Sequence, residues 1–133
     1  MSDIRYEVHQ AQGSQLAEDL ARESPAAAAL LREHREDNAG VLPTLFLGDL
    51  ARWFLEACSN RDEDRPRYDE AHAVVSLLGW CFANGEEPLR NMIAVGFVEM
   101  LPYPGEPERD CVALLPEPLR TERARMESWS SKK

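Results

Sequence analysis

Between Pro88 and Leu101 the chain reads PLRNMIAVGFVEML, an almost unbroken apolar run behind Arg90 and Asn91 with one carboxylate, Glu99, set into its far end. No other segment constrains the fold as strongly, because so much contiguous apolar surface has to lie in a core. The run is also well short of the roughly 20 apolar residues that a helix needs to cross a bilayer. Leu89, Met92, Ile93, Gly96, Phe97 and Met100 recur with the 3.6-residue period of an α-helix. Ile93, Val95 and Phe97 also alternate, as a buried strand would. The length of the run, its Met and Leu content and the Glu86-Glu87-Pro88 lead-in select a helix, since carboxylates favour the positive end of the helix dipole.

The same period recurs upstream. Ile4, Val8 and Ala11, then Leu16 and Leu20, predict a first helix with a break at Gly13. Ser24-Pro25 predicts a second start: the serine can cap, and the proline fits the first helical position, where its missing N–H costs nothing. Ala27, Leu30, Leu31 and His34 then share one face, and Asn38-Ala39-Gly40 supplies a stop. A third helix begins near Pro43 or Thr44. Its stripe of Phe46, Leu50, Trp53, Phe54 and Ala57 is widened by Leu47, Leu55 and Cys58 past half the circumference, which predicts a central helix with neighbours on several sides. A polar loop, Ser59–Arg67, precedes a fourth helix over Tyr68–Ala83, which Asn84-Gly85 ends. After the helix at Pro88 come the proline-rich loop Pro102–Arg109, a helical turn at Asp110–Leu115, and a last amphipathic helix over Pro116–Glu127 anchored by Leu119. Short connections imply antiparallel neighbours. The expected fold is all-α: a single-domain antiparallel helical bundle of five main helices plus a short C-terminal helix, over residues 1–127, with a disordered tail at 128–133. Gly79 and Gly96 are expected to mark close helix crossings, because an interior glycine costs about 1 kcal/mol relative to alanine.

A chain of 133 residues is long enough to bury a core without a disulfide or metal. Three cysteines, Cys58, Cys81 and Cys111, are odd in number, widely spaced and free of any CxxC pair. They are expected to be buried thiols in a cytoplasmic protein. The polar N-terminus, MSDIRYEVHQ, carries no secretion signal. Net charge is −9. That acidity opposes nucleic-acid binding, which needs clustered positive charge, and favours fast association with a basic protein.

Catalytic patterns are missing. Asp69-Glu70-Ala71-His72 spells DEAH, but no GxxxxGK[ST] loop accompanies it. His9, His34 and His72 belong to no metal-ligand pattern, and Ser14, Ser24 and Ser76 to no nucleophile motif. The chain is therefore read as a non-enzyme needing no metal and no cofactor, with neither nucleic acid nor membrane as partner. Asp62, Glu63 and Asp64 form the densest acidic run, and Glu106 and Glu108 stand in the proline-rich loop. Antiparallel packing should bring both loops to one end of the bundle, and these five carboxylates are the candidate partner-binding residues. The competing expectation is that Arg61, Arg65 and Arg67 neutralise the run in solvent.

At RNMIAVGFVEML, followed by LLPEPLRTE, the chain resembles the small helical immunity proteins encoded in bacterial polymorphic-toxin loci. The matching residues are Arg90, Asn91, Ile93, Ala94, Val95, Phe97, Val98 and Glu99, then Leu114, Leu115, Pro116 and Leu119. The resemblance implies an immunity protein that binds and neutralises a cognate toxin or effector domain without catalysis. It implies no toxin-contacting residues, and the matched positions read as scaffold. A non-catalytic helical scaffold or adaptor, homodimeric or not, is the alternative.

Overall fold

The described residues fold into six α-helices: α1 (Ile4–Glu23), α2 (Pro25–Asn38), α3 (Pro43–Ser59), α4 (Arg65–Asn84), α5 (Glu87–Gly96) and α6 (Glu117–Ser131). Two 3-10 segments, Val98–Met100 and Arg109–Leu114, lie between α5 and α6. The computed structural model describes the backbone of residues 4–131 and the side chains of residues 10–129. No strand occurs among the described residues, and none of their helices is long and apolar enough to cross a membrane. Ile4, Val8 and His9, assigned above from the sequence, lie outside the described side chains.

Local chemistry explains the boundaries. Ser24 is extended (φ −156°) and its hydroxyl accepts from the Ala27 N–H at 2.9 Å, while Pro25 opens α2. The Ala26 N–H donates to the Glu70 carboxylate of α4 at 3.1 Å, so α4 also caps α2. Asp64 caps α4 in the same way, accepting from the Arg67 N–H at 3.2 Å. The stop after α2 uses left-handed backbone at Ala39 (φ 54°) and Gly40 (φ 141°).

His34 closes the α2–α3 corner. The Leu42 N–H donates to its Nε2 at 3.0 Å, so the ring proton sits on Nδ1 and points at Asp49 Oδ2, 3.1 Å away. Its carboxylate partner is thus on α3 and not among its sequence neighbours Glu33, Glu36 and Asp37.

One apolar core runs through the molecule, and Leu50, Phe54, Val75, Leu78, Ile93 and Phe97 are all fully buried in it; Trp53 packs on its margin. As its wide stripe predicted, α3 is central, packing on α1, α2, α4, α5 and both 3-10 segments. Glycines set the closest approaches. A Cβ on Gly96 would lie 2.9 Å from the Leu47 Cβ and 3.0 Å from the Thr44 carbonyl oxygen, and one on Gly79 would lie 3.1 Å from Pro116. Gly13 breaks nothing: α1 passes straight through it, and a Cβ there would meet Pro43 at 2.5 Å and the Met92 sulfur at 2.7 Å. The buried face of α1 is accordingly Gly13, Leu16, Ala17, Leu20 and Ala21, and Ala11 is exposed.

Other expectations need correction. The helical period of the apolar run ends at Gly96. A 3-10 turn follows, burying Val98 and Leu101 and turning Met100 out to 51 % exposure. Leu101 is extended ahead of Pro102, as a residue before proline prefers. The last helix is not short: α6 has 15 residues against 10 for α5, and it continues through 128–131, where a tail was expected. Ser128 and Trp129 both have interaction partners there.

The cysteines differ most. Cys58 and Cys111 are fully buried and joined as a disulfide, with Cα atoms 6.1 Å apart and a sequence separation of 53. Only Cys81 is a free thiol, and burial, with Asp19 nearby, pushes its pKa up. Spacing could not reveal the pair, because only the packing of α3's last turn against the second 3-10 segment brings the two residues together.

Candidate protein-binding edge

The five candidate carboxylates stand on two loops that meet at the C-terminal end of α3. The first is shorter than its polar sequence implied. It spans residues 60–64, because Arg65, Pro66 and Arg67 already belong to α4. The second runs from Pro102 to Glu108 and feeds the 3-10 segment that holds Cys111. The Cys58–Cys111 disulfide joins their roots. Beside it the Arg61 guanidinium donates to Asp110 Oδ2 at 3.1 Å and to the Cys58 carbonyl oxygen at 2.8 Å.

Each arginine flanking the acidic run is taken by a carboxylate outside it. Arg61 goes to Asp110, Arg65 to Asp69 at 3.0 Å, and Arg67 to Glu56 at 3.1 Å. Asp62 and Glu63 are exposed and make no side-chain hydrogen bond or ion pair among the described residues. Asp64 is also exposed, but its carboxylate serves as the α4 cap. In the second loop, Glu106 folds back to accept the Tyr103 N–H at 2.6 Å. Glu108 adopts left-handed backbone (φ 68°), and its carbonyl oxygen accepts from the Cys111 N–H at 3.0 Å. The geometry therefore divides the five carboxylates. Asp62 and Glu63 are unengaged, Asp64 and Glu106 shape backbone, and Glu108 sits at a conformational bend.

The second loop is fastened from behind by a group that the sequence did not single out. Arg109 donates to the Pro102 carbonyl oxygen at 3.0 Å and, through both terminal nitrogens, to the Glu127 carboxylate of α6. Arg123 donates to the same carboxylate at 2.8 Å and to the Val98 carbonyl oxygen at 3.1 Å, and its guanidinium lies 4.1 Å from the Tyr103 ring centroid. Arg123 is 1 % exposed. The sequence held a clue to it, since Leu119, Arg123 and Met126 fall on one helical face. The Arg109 hydrogen bond, with Arg123 adding, holds Glu127 below the usual carboxylate range against a burial that pushes the other way.

Behind the same loop an open groove of about 600 Å³ lies between α5 and α6. It is lined in part by Arg90, Asn91, Val95 and Glu99, the outward residues of the segment that carries the resemblance. Ile93, Phe97 and Val98 of the same segment are fully buried in the core.

No cluster of three or more His, Cys, Asp or Glu side chains is arranged to hold a metal among the described residues. The DEAH tetrapeptide lies in the first turns of α4, where Asp69 pairs with Arg65, and His72 donates to the Leu114 carbonyl oxygen at 3.1 Å. No curated protein and no solved structure matches the chain. Over residues 17–129, most of its length, it matches the family described as Domain of unknown function (DUF7674), and it belongs to that family.

Proposed function

We propose that this protein is an immunity protein that binds and neutralises a cognate bacterial toxin or effector domain, by contact alone and with no metal, cofactor or catalysis of its own. One observation carries the reading. Asp62 and Glu63 project from the edge without a cation, while every arginine near them is committed elsewhere. Carboxylates in that state raise the association rate of a basic partner, and a net charge of −9 adds to the steering. The resemblance to immunity proteins supports the same reading.

The test is co-expression with the product of the adjacent gene. Cells should be protected from one cognate toxin and from no unrelated one. In a binding assay, Asp62→Lys with Glu63→Lys should slow association by about tenfold at low salt and much less at high salt, with the melting temperature unchanged. Asp64 is left intact, because losing a helix cap costs about 1 kcal/mol and would confuse the readout. Unchanged association at low salt would remove the edge from the interface. Protection that survives loss of binding would point to an enzyme instead. A second reading, a non-catalytic scaffold or adaptor that pairs with itself, draws on the exposed Val95, Met100 and Tyr103. Sedimentation of the isolated protein separates the two.

A further inference from the structure

The groove between α5 and α6 has a chemical character of its own. Glu87, Asn91, Val95 and Glu99 follow one another at intervals of four and are all exposed, forming a row along α5 and into the 3-10 turn beyond it. At a rise of 1.5 Å per residue the row is about 18 Å long. A carboxylate stands at each end, and an amide and a small apolar side chain lie between. Tyr103 and Trp129, 50 % and 63 % exposed, also line the groove.

The two cations of the groove are already engaged within the chain. Arg125 donates twice to Glu122, at 2.9 and 2.6 Å. Arg90 donates to the Phe82 carbonyl oxygen at 3.1 Å and lies 4.5 Å over the Phe82 ring. Glu87 and Glu99 make no hydrogen bond or ion pair with any described side chain. What the groove offers a visitor is therefore two carboxylates, Glu87 and Glu99, without a cation at either end of the row.

We propose that this groove docks a basic segment of a protein partner, one that presents two arginine or lysine side chains about 18 Å apart along a helix and apolar side chains between them. Row length and end charges match that occupant, whether or not the partner is a toxin. Because Tyr103 belongs to the loop that also carries Glu106 and Glu108, the groove and the acidic edge adjoin, and one partner can cover both.

The experiment uses the full chain and a fluorescent 14-residue helical peptide with arginines at its second and fourteenth positions and leucines facing the row. Anisotropy should report saturable binding. Glu87→Gln with Glu99→Gln should weaken it by about tenfold, whereas Asp62→Asn with Glu63→Gln, the same change in net charge, should weaken it by no more than about twofold. Circular dichroism should show both variants folded, because all four residues are exposed. Equal losses in the two variants would mean diffuse attraction and overturn the site, as would no binding. A dimer in sedimentation that the Glu87 and Glu99 substitutions dissolve would also overturn it, assigning the groove to a second copy. None of these outcomes bears on toxin protection, so the two proposals fail separately.

Discussion

Gly13 and Gly48 are both interior helix glycines, and a methyl group would meet very different surroundings at each. At Gly13 the new Cβ would press on the Pro43 ring at 2.5 Å and on the Met92 sulfur at 2.7 Å; at Gly48 the nearest atom is the Gly96 carbonyl oxygen at 3.8 Å. Replacing glycine by alanine in a helix normally gains about 0.5–1 kcal/mol. Gly48→Ala should show that gain in urea unfolding. Gly13→Ala should instead lose about 1–3 kcal/mol, the usual consequence of overpacking. Equal effects at the two positions would show that α1 can move away from α3 and α5, and that Gly13 does not set their separation.

At the scale of elements, α6 is held by a polar clasp as well as by Leu119. Arg109 and Arg123 converge on Glu127, tying the Pro102–Glu108 loop and the 3-10 turn Val98–Met100 to one helix. Glu127 has its pKa lowered by the fold, so its stabilising contribution is complete above its unfolded value of about 4.5 and is lost as pH falls through the lower folded value. Glu127→Gln should therefore reduce stability at pH 7 and flatten the decline below about pH 4.5, as followed by thermal melts across pH. An unchanged acid limb would place the lost stability elsewhere.

This clasp also shows what the sequence could and could not convey. The α2 start was legible because Ser24 and Pro25 act on backbone groups within three residues of themselves, whereas α4 begins at Arg65, three residues ahead of the expected Tyr68, because the polar run hid its Asp64 cap. The core was legible because buried residues recur at a fixed period. The Arg109–Glu127 arm of the clasp, the disulfide and the His34–Asp49 contact join positions from 15 to 53 apart, and no local pattern encodes such pairs. Gly96 was expected to mark a crossing, but not that the helix would end there, because the tight fit against Leu47 and Thr44 is a property of the pair. Of the candidate edge, the five residues were found from charge alone. Which of them stay unengaged depended on Glu56, Asp69 and Asp110, each of which draws an arginine away.

For the molecule as a whole, the Cys58–Cys111 bridge matters most. In the chain-entropy view a closed loop of this length stabilises the fold by about 4 kcal/mol. Reduction, or Cys58→Ala with Cys111→Ala, should lower the unfolding midpoint accordingly. A midpoint unaffected by reductant would mean that the core alone holds α3 to the second 3-10 segment.

The bridge also changes what a cut in the backbone means. Residues 59–110 form a ring, and both edge loops, α4 and α5 lie within it. Arg61, beside the exposed loop tip of Asp62 and Glu63, is a natural point of attack for trypsin, whereas Arg65 is shielded by the proline that follows it and Arg67 lies within α4. A chain severed there gains new ends but does not become two molecules, because the halves stay joined through sulfur. The nicked protein should run as one band on a non-reducing gel and as two after reduction. The surface most exposed to proteases is thus one whose cleavage need not release any part of the molecule.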